Sequence, residues 1–119
     1  LVEDIKLDEV YVSVGGGGLI SGIARVFKAR SATTKIVGVQ PINSAIMYHS
    51  LESDRILVPE EDGSLDIETW SDGTGGSLDT KTITYEFCKE LVNEWVLINE
   101  EEIKEQLVNF IKVEQMIIE

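Results

Sequence analysis

The sequence predicts an α/β fold: a parallel sheet with flanking helices. Residues 10–14 (VYVSV) form a near-continuous β-branched and aromatic run, the composition of a strand buried on both faces, as strands of parallel sheets are. Four consecutive glycines, 15–18, separate that run from a segment of helical periodicity, and a second apolar run, 35–39 (KIVGV), follows it. Strand, helix and strand in that order close with a right-handed crossover, which sets the two strands parallel.

Taken along the chain, Asp8 and Glu9 lead into the first strand. After the glycines, Leu19, Ile23, Val26 and Phe27 recur at helical spacing, with Arg25, Lys28 and Arg30 turned outward and gathered toward the C-terminal end, where the helix dipole favours cations. Beyond the second strand, Asn43 or Ser44 is placed to cap a short helix. It carries Ala45, Met47, Tyr48 and Leu51 and ends near Ser53 and Asp54. Periodicity is lost over a long loop, 54–79, where Pro59, Gly63, Gly73, Gly75 and Gly76 lie among acidic residues; loops of that length inside compact domains are often functional. Ile83, Phe87 and Leu91 mark a further helix and 95–98 (WVLI) a third strand. Asn99 and Glu102 then give the N-x-x-E start of a last helix, whose apolar stripe is Ile103, Leu107, Phe110, Ile111 and Ile117 or Ile118.

With 119 residues, 43% of them apolar, the chain fills one modest core, so 1–119 reads as a single domain or a piece of one. Both ends have the character of cut ends. Leu1 opens in a segment like the tail of a helix, and Met116, Ile117 and Ile118 form an apolar cluster just before Glu119. The excess of 22 acidic over 10 basic residues, a net charge of -12, disfavours nucleic acid and anionic membrane as partners. No apolar run of about 18 residues is present and no basic-then-apolar leader, which points to a cytoplasmic protein. The one cysteine, Cys88, falls at a helical position between Phe87 and Leu91 and reads as a buried structural thiol rather than a nucleophile. His49, the one histidine, has no Cys or carboxylate at ligand spacing and reads as an exposed or capping residue.

The glycine turn carries the chemistry. A turn between a strand and a helix brings main-chain N–H groups and the positive end of the helix dipole together, and a phosphate fits there without a basic side chain. A tight turn alone needs one or two glycines, not four. No Lys follows the last glycine, so this is not the loop of a nucleoside triphosphatase. A dinucleotide fold needs G-x-G-x-x-G and an acid after the second strand, whereas Ser21 stands at the third glycine and Gln40 where the acid would be. A nicotinamide oxidoreductase is therefore a distant alternative.

The string from Ser13 to Ala24 (SVGGGGLISGIA) resembles the phosphate loop of the serine/threonine dehydratases, pyridoxal-phosphate enzymes of fold type II, the tryptophan synthase β-like group. The resemblance continues through Val37-Gly38-Val39-Gln40-Pro41, the Ser71-Asp72-Gly73-Thr74 loop, Leu91-Val92, Val96-Leu97-Ile98 with the acidic segment 100–103, and Ile117-Ile118-Glu119. It implies part of a three-layer large domain and pyridoxal 5'-phosphate as cofactor. Its phosphate would be held by the amides of Gly15, Gly16, Gly17, Gly18 and Leu19. Gly73 would pack on the pyridine face with Asp72 holding its loop, although Asp-Gly is also an ordinary turn pair. Glu119 matches a glutamate near the cofactor's edge.

The same resemblance marks departures. Several relatives hold a divalent cation with a Glu before the proline and an Asp six residues on; this chain has Gln40 and Ile46 there, and hard cations need carboxylates, so no such metal site is expected. Of the lysines, Lys6, Lys28, Lys35, Lys81, Lys89, Lys104 and Lys112 lie in linkers or on charged faces, and none is assigned as catalytic. The Schiff-base lysine and the Asn loop that grips the cofactor are expected upstream of Leu1, and the partner of the pyridine nitrogen after Glu119. The implied whole is a homo-oligomeric threonine or serine dehydratase acting on a small amino acid. The fragment would supply the phosphate loop, be inactive alone and be poorly soluble. The alternative from the residues alone is a non-catalytic phosphate-binding or assembly module.

Overall fold

The computed structural model describes residues 6–30, 33–58 and 68–118. Its core is a parallel three-stranded sheet in the order β1-β2-β3, formed by Glu9–Ser13, Lys35–Pro41 and Glu94–Ile98. Helix α1, Gly18–Arg30, makes the crossover between β1 and β2. A 3₁₀ turn, Ile42–Ser44, and helix α2, Ile46–Glu52, follow β2; helix α3, Thr84–Leu91, precedes β3, and helix α4, Glu100–Glu114, follows it. The predicted α/β fold with a parallel sheet is therefore the observed one.

Register places Val12 beside Gly38 and Gly38 beside Trp95. A Cβ on Gly38 would lie 2.7 Å from two atoms of the Trp95 indole, so the bare backbone at 38 lets the large ring lie across the middle strand. Lys35 reaches Glu9 on one side (3.3 Å) and Glu94 on the other, one cation bridging all three strands. Val12, Val14, Ile20, Ala24, Ile36, Ile46, Met47, Tyr85, Cys88 and Leu91 form the buried core between the sheet and helices α1, α2 and α3.

Several details differ from the sequence expectation. The first strand is not buried on both faces: Val12 and Val14 are buried, but Tyr11 is 60% exposed and Ser13 is exposed, because β1 is an edge of the described sheet and α1 covers one face only. The buried stripe of α1 is Ile20, Ser21 and Ala24 with Ile23 and Phe27 half-buried; Leu19 and Val26, expected in it, are 67% and 52% exposed. The helix is rotated so that its small residues face α3, which allows the two helices to pack closely, flanked by the Lys28–Glu90 ion pair at 2.6 Å and the Arg25 guanidinium over the Phe87 ring. On α3, Tyr85, Cys88 and Leu91 are buried while Ile83 lies outside the helix and is exposed.

Neither Asn43 nor Ser44 caps α2, which has no side-chain cap. Gln40 serves instead: its Oε1 accepts from the Tyr48 amide at 2.9 Å, and its Nε2 donates to the Val14 carbonyl at 3.0 Å. An early amide of a helix has no partner within the helix, and here a buried strand residue provides one. The capping box of α4 is as the sequence predicts. Asn99 Oδ1 accepts from the Glu102 amide, and the Glu102 carboxylate accepts from the Asn99 amide. Along α4, Ile103, Leu107 and Phe110 are half-buried and Ile111 is exposed.

Candidate functional site

Val14 alone separates Gly15 from the end of β1, and Gly18 is the first residue of α1. The four glycines fall into two classes by what a side chain would meet. Gly17 has a left-handed φ of 81° and is buried; a Cβ there would strike Met47 Cε at 2.7 Å, with Cys88 Sγ and the Thr84 Cβ both at 3.1 Å. Gly15 faces the Thr74 carbonyl, 3.3 Å from where its Cβ would be. Gly16 and Gly18, by contrast, have nothing within 4 Å of where a Cβ would lie and are exposed. Position 17 is therefore held to glycine by its left-handed backbone and its close neighbours, and position 15 is tight, since a Cβ there would press on the Thr74 carbonyl. At 16 and 18 the fold itself imposes no such limit.

Two hydroxyls set the posture of the turn. Thr84 Oγ1, on the first residue of α3, donates to the Gly16 carbonyl at 2.6 Å, and Ser21 Oγ donates to the Gly17 carbonyl at 2.6 Å. The peptides are trans, and in a planar trans peptide the N–H points opposite to the C=O. With both carbonyls drawn inward, the amides of Gly17 and Gly18 turn outward, toward the side that the missing side chains of Gly16 and Gly18 leave open. The amides of residues 15–19 find no acceptor among the described residues, as expected at the start of a helix. A left-handed residue in such a turn makes successive amides converge on one concave side.

The second predicted segment comes to the same place. Residues 72–74 form a 3₁₀ turn whose Thr74 backbone lies against Gly15. The hydroxyls of Ser71 and Thr74 share a hydrogen bond at 2.8 Å, and Thr74 Oγ1 also reaches the Ser71 carbonyl at 3.0 Å. The turn is moored to α4, since the Trp70 amide donates to Glu100 Oε2 at 2.8 Å and the Lys104 ammonium sits 5.2 Å from the centre of the Trp70 ring. Gly73 is exposed, with open space where its Cβ would point, and Asp72 is exposed beside it. Leu19 is exposed at the second position of α1. Glu119 lies outside the described residues.

Other candidates have structural occupations. Both polar ends of Gln40 are engaged by Val14 and Tyr48, and Ile46 is buried, so neither offers an oxygen to a cation or a ribose. Cys88 is buried under the turn with its sulfur 3.8 Å from Ser21 Oγ; burial pushes its thiol up, with the Ser21 hydroxyl opposing in part. A raised thiol has little thiolate at neutral pH and is a poor nucleophile. His49 is half-buried with its ring edge-on to Tyr48. Lys28, Lys35 and Lys89 are in ion pairs with Glu90, with Glu9 and Glu94, and with Asp54. Sequence reasoning missed Thr84 and Ser21. The signal for Thr84 was present in Thr82-Ile83-Thr84, but hydroxyl residues before a helix are read as caps, and its actual acceptor lies 68 residues away.

A family model described as pyridoxal-phosphate dependent enzyme matches residues 1–119. The chain belongs to the pyridoxal-phosphate dependent enzyme family. Within this family it is 35% identical over 99 residues to the biosynthetic L-threonine dehydratase of Staphylococcus saprophyticus, covering 82% of this chain and 22% of that protein. It is 35% identical over 120 residues to the catabolic L-threonine dehydratase of Escherichia coli K12, covering 100% of this chain and 35% of that protein. Among solved structures it superposes on the processed form of threonine deaminase isoform 2 from Solanum lycopersicum with a TM-score of 0.81 and 29% identity, over 99% of this chain and 33% of that one. The chain thus spans between about a fifth and a third of the length of these family members. No helix among the described residues is long and apolar enough to cross a membrane.

Proposed function

We propose that the turn at residues 15–19 holds the phosphate of pyridoxal 5'-phosphate within a larger pyridoxal-phosphate-dependent ammonia-lyase whose substrate is threonine or serine. The observation that carries this reading is the division among the glycines. Gly17 is held to glycine by the protein and Gly15 is closely confined by Thr74, whereas Gly16 and Gly18 face open space beside outward-turned amides. An anion approaching the backbone accounts for glycine at those two positions, and a plain turn does not. The residues present fit the phosphate end of the cofactor: unpaired amides, a helix N-terminus, and carbonyls tied away from the anion. The threonine dehydratases among the relatives support the reaction class and substrate.

Bound pyridoxal phosphate would supply the electron sink for the charge left when a substrate loses its α-proton. The part played by this chain is to hold and orient. The amides of Gly17 and Gly18 fix the phosphate, and the Gly73 turn, packed on Gly15, is positioned to border the same cofactor. None of the seven lysines is assigned to the chemistry, so the 119 residues by themselves are expected not to turn substrate over.

The test uses the full-length protein. Pyridoxal 5'-phosphate should bind far more tightly than pyridoxal, and threonine or serine should yield an oxo-acid and ammonia. Gly16→Ala and Gly18→Ala should each weaken cofactor binding by about tenfold or more, since a methyl in the anion's approach displaces it from its donors, while the thermal unfolding temperature stays near wild type. Equal affinity for the phosphorylated and dephosphorylated vitamers would rule the phosphate reading out.

A further inference from the structure

We infer that the hydroxyls of Thr84 and Ser21 are positioning groups for phosphate binding: they hold the turn in the posture in which its amides can receive an anion. The inference rests on the phosphate reading above and adds the residues that tune it.

Thr84 Oγ1 reaches the Gly16 carbonyl at 2.6 Å across 68 residues of chain, joining the first turn of α3 to a loop at the head of α1. A second short contact, 2.7 Å to Thr82 Oγ1, fixes the rotor of the same hydroxyl. Ser21 Oγ donates to the Gly17 carbonyl, to which the Ser21 amide also donates at 3.1 Å. The two consecutive carbonyls that could turn toward an incoming anion are thus both tied inward by the protein. A glycine turn has little intrinsic preference between peptide orientations. If the Gly16 carbonyl swung outward, it would place a partial negative charge where the phosphate sits and withdraw the Gly17 amide with it.

Neither hydroxyl needs to touch the ligand. Each acts through one peptide plane, and α3 contributes further by filling the space under Gly17 with Thr84 Cβ and Cys88 Sγ. A hydroxyl at 84 should therefore matter specifically for ligands that carry the phosphate. A β-branched apolar side chain of the same size should preserve the packing and lose the effect.

The experiment measures the dissociation constants of pyridoxal 5'-phosphate and of pyridoxal by absorbance titration, in the full-length protein and in Thr84→Val, Thr84→Ser and Ser21→Ala. Loss of one such hydrogen bond corresponds to about a five- to tenfold change. Thr84→Val should weaken pyridoxal 5'-phosphate by that factor and leave pyridoxal unchanged, and Thr84→Ser should restore wild-type affinity. Ser21→Ala should show the same phosphate-selective loss. If Thr84→Val binds the phosphorylated cofactor as wild type does, or if Thr84→Ser is as weak as Thr84→Val, the positioning role is wrong. Should Thr84→Val lack a cooperative unfolding transition, Ser21→Ala decides: an unchanged ratio of the two affinities overturns the proposal. A wild-type protein without preference for the phosphorylated form removes the phosphate reading itself, an outcome distinct from a preference that the variants leave intact.

Discussion

At the scale of single residues, glycine does two opposite jobs in this chain, and alanine substitution separates them. Gly17→Ala must place a methyl 2.7 Å from Met47 Cε in a backbone of left-handed φ, a combination of conformational and overpacking penalties of about 2–4 kcal/mol. It should lower the denaturation midpoint of the full-length protein accordingly, whereas Gly16→Ala should leave that midpoint within about 0.5 kcal/mol of wild type. Gly38→Ala belongs with Gly17→Ala, since its methyl would meet the Trp95 ring; it should be partly rescued when Trp95 is replaced by Leu. Cys88 makes a pH-dependent prediction. Burial raises its thiol, so above about pH 8.5 the unfolded chain releases a proton that the folded chain keeps. Stability then falls as pH rises through that window, with Tyr85, also raised by burial, adding to the fall at higher pH. Chemical denaturation from pH 7 to 10 should show the decline, and Cys88→Ala should flatten it. Of the site, the glycine turn was legible from the sequence because backbone demands leave a mark in residue type, and the 71–74 loop only through the family resemblance. Thr84 was not, because a threonine that binds a distant carbonyl looks the same in sequence as one that caps its own helix.

Among the elements, the link from β2 to α2 is the least expected and the most exposed to test. Gln40 is buried and satisfies two backbone groups at once, the Val14 carbonyl and the Tyr48 amide. Gln40→Leu keeps the volume and strands both groups, which should cost about 2–4 kcal/mol, read as a shift in the urea midpoint; a loss below about 0.5 kcal/mol would show that water replaces the amide. Strand and helix identities were legible because β-branched runs and helical spacing report local geometry. The faces were less so. Leu19 and Val26 carry the right hydrophobicity at the right period, but the small residues Ser21 and Ala24 decide which side of α1 meets α3, and closeness of approach leaves no signature in hydropathy. The strand at 10–14 was over-read for a related reason: β-branching marks a strand, while the number of covered faces depends on what packs over Tyr11.

Over the whole molecule, the described chain is broad and thin, 43 × 41 × 17 Å, with a radius of gyration of 15.3 Å against roughly 13.5 Å for a compact domain of this length. A groove of ≈ 680 Å³ runs along α4 and is lined by Trp70, Ile98, Leu107, Phe110, Val113 and Ile118. Tyr11, Leu19 and Val26 add exposed apolar area elsewhere. Surfaces of that kind associate in water, so the 119-residue chain expressed alone should sediment as concentration-dependent oligomers; a monodisperse monomer with a sharp, cooperative unfolding transition would contradict this. The bond from Thr84 to Gly16 has a consequence in time as well as in space. At about 5–20 residues per second, a ribosome reaches residue 84 roughly 3–14 s after residue 16. For that interval the nascent glycine turn exists without its brace. Capture of a phosphate ligand before α3 has emerged should therefore need about five to ten times more ligand than capture by the braced turn.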